Sequence, residues 1–346
     1  MTILFIDGFE NYNALQDLEG MYAVGVGGIN NFLTAGRDPS GFSIELFDVD
    51  ETLSRSIPNT LTGVTGFAFK FTQTPVVPDA FIELRDAGAS TGVHLKLYLT
   101  ASNQIQLRRS TTIITASTKT LAADTWYYIE FKWLIDGTVG TAEVWVNGKK
   151  GGWIDESGIN TNNGGNDWVD AVMFTGCVNF SGRPLNFDDF YILDLTGTAP
   201  GNDRLGDSIV ETLNPSGVGA EAQWSPSAGA NVDNVDEATP DGDTTFNSSG
   251  VVDDDDRFAM DELVNVPSTV FAVQVQGAFR NENAGARDVR LKAHDGVTEG
   301  QSVDITPTFD AAYIMESFMF EDHPTDANPW STAEVNAMEA GYRVQA

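Results

Sequence analysis

Between Trp126 and Leu193 the chain carries three runs dense in aromatic and β-branched residues, and this feature narrows the fold more than any other. Trp126-Tyr127-Tyr128-Ile129-Glu130-Phe131-Lys132-Trp133 comes first, Glu143-Val144-Trp145-Val146 follows, and Asn186-Phe187-Asp188-Asp189-Phe190-Tyr191-Ile192-Leu193 closes the series. Side chains of these types suit a pleated, half-buried surface. Asn147-Gly148 supplies the positive-φ residues of a tight hairpin. Upstream, Phe42–Phe47, Thr65–Phe71, Phe81–Leu84, His94–Thr100, Gln104–Arg108 and Thr111–Thr115 alternate in the same way, with turn residues between. This rhythm of short strands is that of an all-β sandwich. Trp126, Trp133, Trp145 and Phe190 are the expected members of its core.

A boundary is expected after Leu195, where Thr196-Gly197-Thr198-Ala199-Pro200-Gly201-Asn202-Asp203 has linker composition. Residues 1–200 hold 23 acidic and 12 basic residues, and residues 201–346 hold 27 and 7, so the shorter segment is the more acidic. The expected domains are therefore 1–198 and 199–346. In the second, Asp207–Leu213, Val270–Phe279, Asp288–Ala293 and Tyr313–Phe320 read as strands, and the Asp253–Asp256 run reads as a solvated loop. Ser331-Thr332-Ala333-Glu334 has capping-box form and predicts one short helix over 332–340, ended by Gly341, with Tyr342–Val344 returning as a strand.

The formal net charge is −31, from 50 acidic and 19 basic residues. Nucleic acid is excluded as a partner, because phosphate binding needs clustered Lys and Arg. Anionic membrane surfaces are disfavoured on the same ground, and no run is long enough for membrane insertion. The acidity reads first as a solubility device, and otherwise as a surface for basic partners or cations. The single cysteine, Cys177, lies in an apolar run and reads as a buried small hydrophobe. The opening Met-Thr-Ile-Leu-Phe-Ile-Asp has no basic n-region or long apolar stretch, so a cytoplasmic product is expected.

The Trp126, Asn147-Gly148 and Phe190 pattern is similar to laminin G-like and concanavalin A-like jelly rolls. A second resemblance covers more of the chain. Phe5-Ile6-Asp7-Gly8-Phe9-Glu10 resembles the opening of virion structural proteins of tailed bacteriophages, and Phe187–Asp194 with its Gly/Asn linker resembles their domain join. Leu205-Gly206-Asp207, Trp224, Asn231-Val232-Asp233 and Pro240–Phe246 resemble their second module, as does the closing Trp330–Ala337. The resemblance implies a mainly β protein: an N-terminal concanavalin A-like jelly-roll sandwich, then a second β-rich domain with one short C-terminal helix. It also implies a non-enzymatic structural component of a tailed-phage virion, made in the host cytoplasm. Such a protein sits on the particle surface, as a capsid decoration or fibre or with the tail. Its partners would be other virion proteins and copies of itself.

The alternative is a carbohydrate-binding adhesin for host surface glycans. Trp153 with the Asn162-Asn163-Gly164-Gly165-Asn166-Asp167 loop has the makeup of a lectin-like platform, so Trp153, Asn162, Asn163, Asn166 and Asp167 are the candidate ligand-binding residues. Trp168 reads as core. A glycan hydrolase needs two carboxylates flanking a scissile bond. The cluster Glu45, Asp48, Asp50, Glu51 does not alternate on one strand face, and adjacent Asp188-Asp189 should point to opposite faces. The three histidines, His94, His294 and His323, adjoin no nucleophile elbow. No cofactor is required. Calcium is the one ion left open, with Asp7, Asp188 and Asp189 as candidate ligands by resemblance to jelly rolls that hold it at a loop end.

Overall fold

The structure is a computed structural model. It describes residues 3–12, 15–18, 20–25, 31–38, 41–48, 50–88, 92–177, 184–197, 202–282, 287–307 and 313–346. The chain forms two compact units, one of Met1–Phe9 with Tyr22–Val210, the other of Glu10–Met21 with Glu211–Ala346. The division thus falls at 210/211, and a short N-terminal segment belongs with the second unit.

The first unit contains β1 (Ile3–Asp7), β2 (Ala23–Val24), β3 (Asn31–Ala35), β4 (Phe42–Leu46) and β5 (Thr52–Thr60). Next come β6 (Thr62–Phe71), β7 (Asp79–Arg85), β8 (Val93–Leu99), β9 (Ile105–Arg109) and β10 (Thr112–Ala116). It closes with β11 (Tyr127–Leu134), β12 (Gly140–Val146), β13 (Asp155–Ile159), β14 (Val169–Thr175) and β15 (Leu185–Asp194). They build two antiparallel sheets. Sheet A runs β13-β12-β11-β6-β15-β4-β3, with β1 also on β15, and sheet B runs β10-β9-β8-β7-β14-β5-β2. The strands come from many short alternating runs, as expected, and the two sheets form a β-sandwich.

Alternation explains the core. In β11, Ile129, Phe131 and Trp133 are buried between the sheets, while Tyr128, Glu130 and Lys132 take the other face of sheet A. Rings meet across the gap: Phe174 of sheet B lies 4.3 Å from Phe187 and 5.2 Å from Phe67 of sheet A, and Phe69 lies 4.6 Å from Phe81. Trp133 and Phe190 are core, as expected. Trp126 and Trp145 are only half-buried. Trp145 follows Val144 and precedes Val146, both buried, so period-2 alternation turns it outward.

The second unit contains β16 (Pro215–Ala222), β17 (Ser225–Pro226), β18 (Asn247–Ser248), β19 (Asp255–Met260) and β20 (Val273–Phe279). It ends with β21 (Val289–His294), β22 (Glu299–Gln301), β23 (Ile314–Phe320), helix α1 (Thr332–Ala337) and β24 (Glu339–Val344). Its main sheet runs β16-β19-β24-β21-β22, and β20 pairs with β23. Leu291, Ala293, Phe320, Trp330, Val335 and Met338 share one apolar core.

Three expectations change here. The helix does start on a complete Ser331/Glu334 capping box, but it stops at Ala337. Gly341 is a strand residue: a Cβ there would lie 1.9 Å from the Asp256 carbonyl, so glycine permits close approach of β24 to β19. Asp207–Leu213 forms no strand: Asp207 and the Ser208 carbonyl bond to Arg37, and the Val210 amide donates to Asp189 Oδ1. The Asp253–Asp256 run is not a solvated loop throughout. Asp255 and Asp256 are buried at the start of β19. Asp255 pairs with Lys292 and with Arg343 at 2.7 Å, and Asp256 accepts from Asn231 at 2.6 Å and from the Trp224 amide at 2.9 Å. No helix among the described residues is long and apolar enough to cross a membrane.

Candidate functional site

Asp188 and Asp189 lie where the β15 register slips against β6, between Asp188↔Ala68 and Tyr191↔Gly66. Three steps on β15 oppose two on β6, which is a bulge, and Asp189 takes φ +49°. The expected opposite-face arrangement therefore fails. Both carboxylates reach Arg37: the Arg37 amide donates to Asp188 Oδ2 at 2.6 Å, and Arg37 Nε pairs with Asp189 Oδ2 at 2.9 Å. The Asp189 amide donates to Asp188 Oδ1, and the Val210 amide to Asp189 Oδ1, both at 2.8 Å. Asp7 accepts from the Phe9 amide at 2.8 Å and from the Tyr22 hydroxyl at 2.7 Å. The three candidate calcium ligands thus face donors. Among the described residues no group of three or more His, Cys, Asp and Glu side chains is arranged to hold a metal ion. Burial pushes Asp188 up to about 7, with the Asp189 charge adding to it. Burial likewise raises Asp189, to about 6, against the pull of Arg37.

Glu130 anchors a neighbouring clasp. It is 1% exposed. The Tyr191 hydroxyl and the Gly206 amide donate to Oε1 at 2.7 and 2.8 Å, and Arg204 pairs with Oε2 at 2.7 Å. Arg204 also stacks 3.5 Å from the Trp145 ring centroid. Arg37 reaches Asp207 and the Ser208 carbonyl. Residues 203–210 are therefore held on the outer face of sheet A by side-chain bonds, which is why this stretch needs no strand partner.

The expected lectin-like platform does not form as one site. Trp153 sits in the β12–β13 hairpin, where its amide donates to the Lys150 carbonyl and Lys119 lies over its ring. The Asn162 amide donates to the Asp136 carbonyl, at the opposite end of β13. Asp155 to Ile159 separates the two ends by about 13 Å at ~3.3 Å per residue. The 162–167 loop is pinned from below. The Asn163 amide donates to His94 Nδ1 at 3.2 Å, so Nε2 carries the proton and donates to the Trp168 carbonyl at 3.1 Å. Asn166 donates twice to Asp86 Oδ2 at 3.0 Å, and Asn162 donates to Asp167. Burial lowers the His94 pKa and keeps this neutral tautomer. Trp168 is half-buried, short of the core position expected for it.

Sheet B carries a groove that strand-by-strand reading misses. Its volume is about 360 Å³, and Asp79, Glu83, Arg85, Lys96, Tyr98 and Met173 line it. The register aligns Met173, Glu83, Lys96, Arg108 and Ile113 in one cross-strand row. Glu83 pairs with Lys96 and, at 3.2 Å, with Arg85. Arg108 lies 3.9 Å from the Tyr98 ring centroid. The signal was the polar member of each alternating pair, but only strand pairing brings those members together. Carboxylate acceptors, cationic donors and a ring edge in one concavity can bind a polyhydroxylated group. Cys177 is buried, and burial raises its thiol pKa, which disfavours the reactive thiolate.

No family model matches this sequence, and no curated protein matches it. Its structure is distantly similar to other β proteins. Cellulose induced protein Cip1 matches at 17% identity over 59% of this chain and 94% of that chain, with a TM-score of 0.37. Trypanosoma rangeli sialidase matches at 12% identity over 56% of this chain, with a TM-score of 0.36. A further sialidase matches at 12% identity over 44%, with a TM-score of 0.34. This chain spans only 30% of the first of these sialidases and 15% of the second. At these scores the likenesses carry no information about activity.

Proposed function

We propose that this chain is a non-enzymatic structural component of a tailed-phage virion, exposed on the particle surface as a capsid decoration, a fibre or a tail-associated protein. One observation carries the non-enzymatic part. The buried carboxylates Glu130, Asp188, Asp189, Asp255 and Asp256 are each committed to ion pairs or backbone donors within their own unit, and in the groove on sheet B Glu83 is held by Lys96 and Arg85. A general acid or base needs a carboxyl facing open space beside its substrate. The sequence resemblance of Phe5–Glu10, Phe187–Asp194 and Trp330–Ala337 supports the virion part. Mass spectrometry of purified particles tests it: the chain should be present at reproducible stoichiometry. Its absence from particles that otherwise assemble overturns the proposal.

The groove on sheet B favours a second reading, glycan binding, which is compatible with the first. Donors on Lys96 and Arg85 and an acceptor on Glu83 suit sugar hydroxyls. On a panel of host surface glycans, Tyr98→Ala and Lys96→Ala should abolish binding, and Trp153→Ala, at the far end of β13, should not. The reverse pattern would return the site to the Trp153 hairpin.

A further inference from the structure

From Ala87 to Ala123 the sequence has no Asp or Glu and four cations, Lys96, Arg108, Arg109 and Lys119, in a chain with 50 acidic residues. These 37 residues (123 − 87 + 1) build β8, β9 and β10. β10 is the outermost strand of sheet B, and among the described residues no strand pairs beyond it. Ser110-Thr111-Thr112-Ile113-Ile114-Thr115-Ala116-Ser117-Thr118 has no charge and no proline. Ile113 is 56% exposed. An edge of β-branched residues with unpaired backbone groups is a template for another strand.

On the same side of the sandwich, sheet A ends in β13, which is built differently. It carries Asp155 and Glu156, and Gly158 at φ +64°. Charge and irregularity blunt that edge. β10 is uncharged itself, with Arg108 and Arg109 beside one end and Lys119 beyond the other. Antiparallel pairing of two copies of β10 would bring cation-bearing ends together. The charges instead attract an acidic strand.

We propose that β10 is a docking edge for an extended acidic segment of a protein partner, which adds an eighth strand to the seven of sheet B. Backbone pairing would supply the affinity, the exposed Ile113 an apolar contact, and Arg108 and Lys119 the selectivity for acidic side chains. This deepens the reading of a particle component by naming the surface through which a neighbouring virion protein is held. The test is independent of that reading, since peptide binding can fail in a protein that is nonetheless particle-borne.

The probes are a short labelled peptide alternating valine and glutamate, and the same peptide with lysine for glutamate, titrated against the full chain by fluorescence anisotropy. The glutamate peptide should bind, and the lysine peptide at least about tenfold more weakly, a difference of ~1.4 kcal/mol. Arg108→Gln with Lys119→Gln should remove that preference. Thr112→Pro and Ile113→Pro, made separately, probe the backbone. Successive amides of an antiparallel strand point alternately toward and away from the neighbour, so one proline removes only an outward donor and leaves the sheet intact by circular dichroism. That variant should lose binding. Unchanged binding in the folded proline variant would make the surface a plain polyanion patch and overturn strand addition. Binding of neither peptide overturns the proposal, as does self-association abolished by the same proline.

Discussion

Glu130→Gln is the most direct perturbation of the clasp on sheet A. The carboxylate is 1% exposed and takes three donors, from Tyr191, Gly206 and Arg204, within 2.8 Å. Glutamine keeps the shape but offers one acceptor oxygen, and its amide group turns donors toward donors. Removing one partner of a buried, hydrogen-bonded ion pair costs about 3–5 kcal/mol. The Arg204 side chain is 18% exposed, so water rehydrates it in part, and the lower end, about 3 kcal/mol, is expected. Native-state hydrogen exchange at the β11 and β15 amides is the assay, because it reports the first unit alone in a two-unit chain. The Gly206 amide, which loses its acceptor, should exchange faster still. Glu130→Leu with Arg204→Leu removes both charges and should cost less than the single change, since no buried charge is left unpaired. A single-mutant cost below about 1 kcal/mol, with Gly206 exchange unchanged, would refute the assignment of Glu130 as an architectural anchor and reopen it as a chemical group.

Other consequences are as direct. Asp188 and Asp189 are raised to about 7 and about 6, chiefly by burial, so the folded state holds protons more tightly than the unfolded chain. Their contribution is fully present below about pH 4 and is lost as pH rises through 6 to 7; the stability of the parent minus that of Asp188→Asn should fall across that window, and a rise would contradict the assignment. Phe174→Ala removes a ring that packs on Phe67, Phe187 and Phe190 and should cost about 3–5 kcal/mol by denaturant titration; a cost near zero would place it outside the core. Gly341→Ala forces a Cβ against the Asp256 carbonyl and should unfold or separate β24 from β19, seen as lost exchange protection at Arg257 and Gly341; retained protection would show that the strands can part cheaply.

The β architecture was legible because it is written in local alternation. Thr65–Phe71, His94–Thr100 and Gln104–Arg108 each announce an inward and an outward face, and each is a strand. Trp145 shows the limit of reading by residue type, since its neighbours Val144 and Val146 claim the interior. Asp188 and Asp189 show another limit. Their convergence depends on a bulge at a positive-φ aspartate, and bulges leave little trace in composition. Asp255 and Asp256 look solvated in a run of four acids, yet Lys292, Arg343 and Asn231, distant in sequence, bury them. The groove on sheet B was hidden for a related reason: Glu83, Lys96 and Arg108 are unremarkable outward residues until antiparallel register sets them in one row. Trp153 and the 162–167 loop erred the other way, being close in sequence but at opposite ends of one strand.

Immunogold labelling of intact tailed-phage particles, with antibody raised against this chain, tests the central claim most directly. The account predicts discrete label on the particle surface, over the head or along the tail, that purified chain competes away. Particles that assemble fully and carry neither label nor, after disruption, the chain itself would contradict it.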